Sequence, residues 1–301
     1  MKIKCIINEK SARGRDKKLT ALLEAKFADH DVDFLRTAYP GHATRASRLA
    51  VKEGFDIIVA VGGDGTVNEV VNGVIPSQVA VGIIPTGTAN DLADQINIPN
   101  DVEKACDIII KGSTRRIDSI CVNGWHFITV GGLGLPADAV INATALKKCL
   151  PLRRRPLSII GSRIYVLGLL LAFISSIGRG VRTRMSCNCS SFTSKTYSII
   201  IANQAVLGKR FKVCPDAVND DGCLDLFTIE AGWGLKNYTA AVAGTTSGRH
   251  VNMSNVHMHR THRVRIVANK KLSFFGDGNI GCEGTEFDIS VIPGAVTLLV
   301  P

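Results

Sequence analysis

Residues 55–73 read Phe55-Asp56-Ile57-Ile58-Val59-Ala60-Val61-Gly62-Gly63-Asp64-Gly65-Thr66-Val67-Asn68-Glu69-Val70-Val71-Asn72-Gly73. The run over 55–61 is almost wholly apolar and is β-branched at Ile57, Ile58, Val59 and Val61. It is short enough for a strand and too dry for one with a wet face, so it predicts a parallel strand buried on both sides. The run breaks at Gly62-Gly63-Asp64-Gly65, where glycine opens positive φ and lets the backbone come close to a ligand. A helix is expected at once. Thr66 is its N-cap, Glu69 reaches back to complete a capping box, Val67, Val70, Val71 and Val74 share a face, and Gly73 ends it. Strand, glycine loop and capped helix aim free N–H groups and a positive helix end at an anion, and phosphate is the natural tenant.

The flanking sequence repeats the pattern. Strands are expected over 2–8 and 32–37, and helices over 17–28 and 42–54, the second closed by Gly54. Another apolar strand, 79–84, leads into Pro85-Thr86-Gly87-Thr88-Ala89-Asn90-Asp91, where Thr88 again precedes an acid at cap spacing. Two strand–loop–helix units in succession imply a crossover between parallel strands. Their loops would open on one edge of the sheet, where open α/β sheets hold ligands.

The 301 residues suit two domains, and 46% hydrophobic content is enough for a buried core. A net charge of +10 favours an anionic partner. With only 6% aromatic residues and no basic–aromatic interleaving, nucleic acid is not the expected one. The nine cysteines are scattered without a CxxC pair, which fits idle thiols in a reducing, cytoplasmic setting. The opening residues read as a first strand and carry no signal-peptide core.

With these motifs together, the sequence resembles the diacylglycerol kinase catalytic domain, in its bacterial soluble lipid kinase branch. The residues that carry the resemblance are Gly62-Gly63-Asp64-Gly65-Thr66 with Asn68-Glu69 and Asn72-Gly73, then Pro85-Thr86-Gly87-Thr88-Ala89-Asn90-Asp91. Thr37 before Gly41-His42-Ala43, Ile117-Asp118, Cys214-Pro215-Asp216-Ala217, Asp220-Asp221-Gly222-Cys223-Leu224-Asp225 and the ending from Val291 extend it over nearly the whole chain. The resemblance implies a doubly wound, nucleotide-binding α/β domain over 1–128, of the NAD kinase and diacylglycerol kinase type. A C-terminal β-sandwich that meets the lipid would cover 129–287, with the last strand, about 288–301, returning to the first domain.

The implied activity is transfer of the γ-phosphate of ATP to a hydroxyl of diacylglycerol or a related lipid, with Mg2+ as cofactor. By position, Asn8, Thr37, Gly62, Gly63, Asp64, Gly65, Thr66, Asn68 and Thr88 would line the ATP site. Asp64 would join the acidic network that orients the phosphates. A structural magnesium would sit on the Asp221 carboxylate and the carbonyls of Val218 and Cys223. The family's Asp-Gly-Glu near the C-terminus reads Asp277-Gly278-Asn279 here. Asn cannot take a hydroxyl proton, so Asp277 is the expected base, with Glu283 as a substitute if its loop folds back. Two alternatives stay open: an NAD kinase-like small-molecule kinase, which shares the first glycine motif, and a non-catalytic nucleotide or lipid binder.

Other segments carry weaker signals. Gly132-Leu133-Gly134-Leu135-Pro136-Ala137 matches a dinucleotide fingerprint, but it lacks a clean βαβ unit and reads as a false positive. His257 and His259 read as a solvated strand face. Between Arg153-Arg154-Arg155 and Arg179 lies an apolar run over 157–177. Its uninterrupted part is shorter than the ~20 residues a span requires. It reads either as a core helix or as an interfacial element whose arginines meet lipid phosphates at a membrane surface. A homodimer is compatible with all of this.

Overall fold

The structure, a computed structural model, describes residues 1–8, 16–87, 89–149, 180–187, 190–208, 211–232 and 234–301. Residues 9–15, Thr88, and the basic–apolar stretch from Arg153 to Arg179 fall outside them. The chain divides into two compact units, Met1–Ser119 with Ile292–Pro301, and Ile120–Val291.

In the first unit, β1 (Lys2–Ile7), β2 (Asp31–Arg36), β3 (Ile57–Gly62) and β4 (Ala80–Pro85) form a parallel sheet in the order β4-β3-β1-β2. All six residues of β3 are buried, as the dry run predicts. The sheet is covered by α1 (Asp16–Lys26), α2 (His42–Lys52), α3 (Asp64–Val74) and α5 (Val102–Lys111), with the short α4 (Asp91–Gln95) after the second glycine loop. Helix α2 packs on α3 and α1 on α5, where Lys26 pairs with Asp107 at 2.9 Å. The last residues of the chain extend the sheet: Thr297 and Leu298 pair in parallel with Ala80 and Val81. The amide of Gly294 donates to buried Asp118 at 2.7 Å.

Two local expectations are corrected here. Helix α3 begins at Asp64 with Gly63 as N-cap, so Thr66 lies inside the first turn and caps nothing. Glu69 does not reach back; its two oxygens accept the amides of Gly41 (2.9 Å) and Ala43 (3.0 Å) and so cap α2 instead. Gly73 does not end the helix, which continues to Val74. It is glycine because a Cβ there would lie 2.5 Å from Ser47 Cβ and from the Thr44 carbonyl, on the touching face of α2.

The second unit contains β6 (Trp125–Phe127), β7 (Val130–Gly134), α6 (Leu135–Cys149), β8 (Val181–Cys187), β9 (Ser190–Ala202), β10 (Leu224–Glu230), α7 (Gly234–Gly244), β11 (Val256–Thr261) and β12 (Arg263–Gly276). Strands β5 (Thr114–Val122) and β13 (Asn279–Leu299) run through both units. Pairing within the unit is antiparallel, β7-β9-β10-β11 on one path and β8 between β9 and β12 on another. One apolar core gathers Leu133, Met185, Ile199, Ile201, Leu226 and Phe274, and the other gathers Ile200, Ala202, Phe227, Tyr238 and Ala241. Alternate residues of β9 and β10 thus feed opposite cores. That explains why the second half of β9 is dry throughout instead of alternating.

The glycine fingerprint at 132–137 runs from the end of β7 into α6, and β7 pairs antiparallel with β9 and β12. A Cβ on Gly134, at φ 79°, would lie 2.4 Å from the Tyr197 carbonyl. These glycines serve strand contact, and the parallel βαβ setting of a dinucleotide site is absent from this segment.

Candidate active site

At the carboxyl edge of the parallel sheet, the end of each strand is tied to its neighbour. Thr37 N donates to the Ile7 carbonyl (2.9 Å), Asn8 N to Val61 (3.0 Å), and Thr86 N to Gly62 (2.9 Å). Asn8 reaches the first glycine loop through its side chain, with Nδ2 donating to Thr66 Oγ1 at 2.9 Å. Asn68 is buried one turn along α3, where Asn72 donates to its carbonyl. Asn8, Gly62, Gly63, Asp64 and Thr66 are therefore gathered in one place, with Thr37 at the adjoining strand end.

The glycines are needed for contact, and none of Gly62, Gly63 or Gly65 takes positive φ. A Cβ on Gly62 would lie 2.3 Å from Thr66 Oγ1, and one on Gly87 would lie 2.5 Å from Gly63 Cα. The two glycine loops thus touch backbone to backbone.

Asp64 fastens them together. One of its carboxylate oxygens accepts the amide of Asn90 (2.9 Å) and the other that of Asp91 (2.7 Å). Asn90 lies at φ 55°, and its side chain makes no cap, so Asp64 of α3 is the cap of α4. The second cap expected from Thr88 lies outside the described residues. Burial pushes the Asp64 carboxyl upward, while the amides of Asp91 and Asn90 pull it back. The partners Gly87, Asn90 and Asp91 lie within a quoted motif, but cap spacing alone pointed to Thr88.

Asp277 belongs to the second unit, at the tip of the β12–β13 hairpin. It and Gly278 take φ of 49° and 76°, the two positive values that a type I′ turn requires. The side chain is 5% exposed. Oδ1 accepts from Thr129 N (2.8 Å), Thr129 Oγ1 (2.5 Å) and Ile128 N (3.3 Å), while Oδ2 lies 3.1 Å from Ile128 N. Asn279 donates weakly to the Asp277 carbonyl at 3.4 Å. Glu283 does not fold back as a substitute base: it pairs across the ladder with Ser273 and is held by Lys271 (2.6 Å). The hydrogen bonds from Lys271 and Ser273 keep its carboxyl below the usual range, which makes it a poorer proton acceptor.

The Asp221 turn, expected to hold a structural magnesium, carries contacts of its own. Both Asp221 oxygens are engaged, Oδ1 by the Cys223 amide (2.9 Å) and Oδ2 by an ion pair with Arg260. His262 Nδ1 lies 2.6 Å from the carbonyl of Gly222 in the same turn. Arg260 thus supplies positive charge at this turn, beside the Val218, Asp221 and Cys223 expected to hold the ion. Nothing in the local sequence pointed to Arg260, which arrives from β11. Among the described residues no group of three or more His, Cys, Asp and Glu could hold a metal.

Residues 2–122 match the family model for the diacylglycerol kinase catalytic domain. Residues 160–300 match that for the YegS C-terminal NAD kinase beta sandwich-like domain. The diacylglycerol kinase of Bacillus subtilis (strain 168) is 30% identical over 281 residues, spanning 92% of this chain and 89% of that protein. The diacylglycerol kinase of Staphylococcus aureus (strain JH9) is 27% identical over 264 residues, 87% of this chain and 80% of that protein. A crystal structure of a putative diacylglycerol kinase from Bacillus anthracis str. Sterne shares the fold, with a TM-score of 0.78 at 23% identity, over 100% of this chain and 97% of that one. The joined glycine loops on the first unit and this likeness along nearly the whole chain place it in the diacylglycerol kinase family, in the bacterial branch with an NAD kinase-like β-sandwich.

Proposed function

We propose that this chain is an ATP-dependent lipid kinase, moving the γ-phosphate of ATP to a hydroxyl of diacylglycerol or a related lipid. The observation that carries the reading is the Gly63–Gly87 contact under the Asp64 bridge, which puts the two glycine loops and the amino end of α3 at one place on the sheet edge. Phosphoryl transfer asks chiefly for positioning and neutralised charge, and a cradle of N–H groups supplies part of both. ATP enters as its magnesium complex, so the metal comes with the substrate. Asn8, Thr37, the loop from Gly62 to Thr66, Asn68 and Thr88 line the nucleotide. Residues 1–128 with the returning strand form the nucleotide domain, and 129–287 form the lipid domain.

Asp64 acts by holding the second loop on the first. Asp277 takes the lipid's proton. A base of modest strength suffices where the transition state is loose and the proton leaves late. Among the described residues no helix is long and apolar enough to cross a membrane. The enzyme works from the cytoplasm and meets its lipid at the membrane surface by peripheral contact.

Single-turnover transfer from γ-labelled ATP to vesicles holding a panel of hydroxylated lipids tests this reading. Label is expected in one lipid class and lost in Asp64→Asn. ATP binding without transfer to any lipid would overturn it.

A further inference from the structure

The hairpin tip that carries Asp277 has three glycines in six residues, Gly276, Gly278 and Gly281. Gly278 is explained by its φ of 76°, the second positive value of the turn. Gly276 and Gly281 take no positive φ, so the backbone does not require glycine at either. Contact does. A Cβ on Gly281 would lie 2.2 Å from Trp125 Cε3 and 2.4 Å from its Cδ2 and Cζ3. One on Gly276 would lie 2.8 Å from Trp125 Cη2 and from Phe127 Cβ. The Trp125 indole therefore lies against both arms of the hairpin at its tip, in space that two missing side chains leave.

The hairpin is shaped for this contact. Phe274 faces Cys282 across the ladder but Phe275 faces Ile280, which makes Gly281 an extra residue, a β-bulge in β13. Bulges bend a strand and re-aim the residues beside them, and they gather next to active sites. Phe275 packs on Ala137 and Val140 of α6. Trp125 is itself held by Phe127, with ring centroids 6.1 Å apart, and it opens β6, the strand that runs into Ile128 and Thr129. One short segment thus grips the tip twice. Its amides and the Thr129 hydroxyl hold the Asp277 carboxylate, and its indole holds the glycines on either side.

We propose that Trp125 is a positioning residue for the transfer step. Seated on Gly276 and Gly281, it fixes the height and direction at which the hairpin presents Asp277 to the acceptor hydroxyl. This rests on the reading of Asp277 as the base and adds what aims it. The carboxylate's own hydrogen bonds orient its oxygens, and the indole sets the backbone that carries them.

Steady-state transfer from γ-labelled ATP to lipid vesicles, with calorimetric ATP binding beside it, tests this on the whole protein as a cycle of parent, Gly281→Ala, Trp125→Leu and the double variant. Gly281→Ala drives a Cβ into the indole, and its kcat is expected to fall about 10- to 100-fold, the scale of a small misplacement of a reacting group, with ATP affinity unchanged. With Trp125→Leu already present, the same substitution is expected to cost no more than about threefold, because the atoms it meets are gone. Trp125→Leu alone is expected to lower kcat at unchanged KM for ATP, and Trp125→Phe to recover most of the loss. An equal cost of Gly281→Ala with and without the indole would overturn the proposal, as would parental kcat in Trp125→Leu. Parallel loss of turnover and ATP affinity would reduce Trp125 to general fold support and overturn it too. Should Gly281→Ala fail to fold, Trp125→Leu and Trp125→Phe decide the matter through kcat against KM. The base reading fails separately, through parental turnover in Asp277→Asn, and would take the positioning role with it.

Discussion

A single carboxylate can position or react, and the role proposed for Asp277 asks both of it. Thr129 N and Oγ1 donate to Oδ1, and Ile128 N is shared between Oδ1 and Oδ2. Asp277→Asn keeps the volume but turns one oxygen into a donor, which leaves amides of 128–129 poorly paired at about 1–3 kcal/mol each. Thr129→Val removes only the hydroxyl donor. Both variants are expected to melt earlier. Turnover at a temperature where both are folded should fall by 10²-fold or more in Asp277→Asn, on the scale of general-base loss, and stay within a few-fold in Thr129→Val. Equal losses of turnover in the two would make Asp277 a clamp alone. Asp225 gives a second, pH-linked case. Burial first, and then Asp216, push its carboxyl up to about 6. An acid raised from ~3.9 in the unfolded chain favours the folded state below that value and opposes it increasingly as pH rises through about 6. Asp225→Asn should therefore melt with the parent at pH ~4 and above it at pH ~7.5. A melting advantage at the lower pH instead would contradict the sign.

At the scale of elements, the strands and helices of the first unit were legible because each declares itself locally, in dry β-branched runs and apolar helical faces. What each end residue does was not, because its partner comes from elsewhere in the fold. Glu69 has the spacing of a capping box, yet Gly41 and Ala43 compete for it across the α2–α3 contact and win. Gly73 has the look of a helix stop, yet α2 lies where its side chain would be. The same holds for Asp64, which the sequence places in a phosphate-binding motif and the fold uses to cap α4. Gly87 tests whether the joining of the loops matters. Its Cβ would sit 2.5 Å from Gly63 Cα and 2.6 Å from Asn90 Oδ1, one of them backbone. Gly87→Ala is expected to part the loops and weaken tripolyphosphate binding by about tenfold or more, the scale of one charge-assisted hydrogen bond. Unaltered binding would mean that the contact is packing without consequence for the ligand.

For the whole molecule, sequence reasoning went furthest where chemistry is written in contiguous motifs and least far in the second unit. There the strands feed two cores, so the period of two that marks a half-buried strand is erased in β9 and β10. The acidic turn at Asp221 could not be judged from its own residues either, because its countercharge, Arg260, comes from another strand. Net charge is different, being legible from composition and independent of the fold. At +10 the protein should be drawn to an anionic lipid surface, which suits the proposed lipid acceptor. Raising ionic strength from about 0.1 M to 1 M shortens the Debye length from ~10 Å to ~3 Å and should release a contact made by exposed cations. Sedimentation with phosphatidylglycerol vesicles is expected to fall steeply over that range, and to fall at low salt when Arg153, Arg154 and Arg155 are replaced by Glu. Binding that persists in high salt and survives the charge reversal would assign the membrane contact to apolar insertion. Binding to uncharged phosphatidylcholine vesicles as tight as to anionic ones would remove the electrostatic argument altogether.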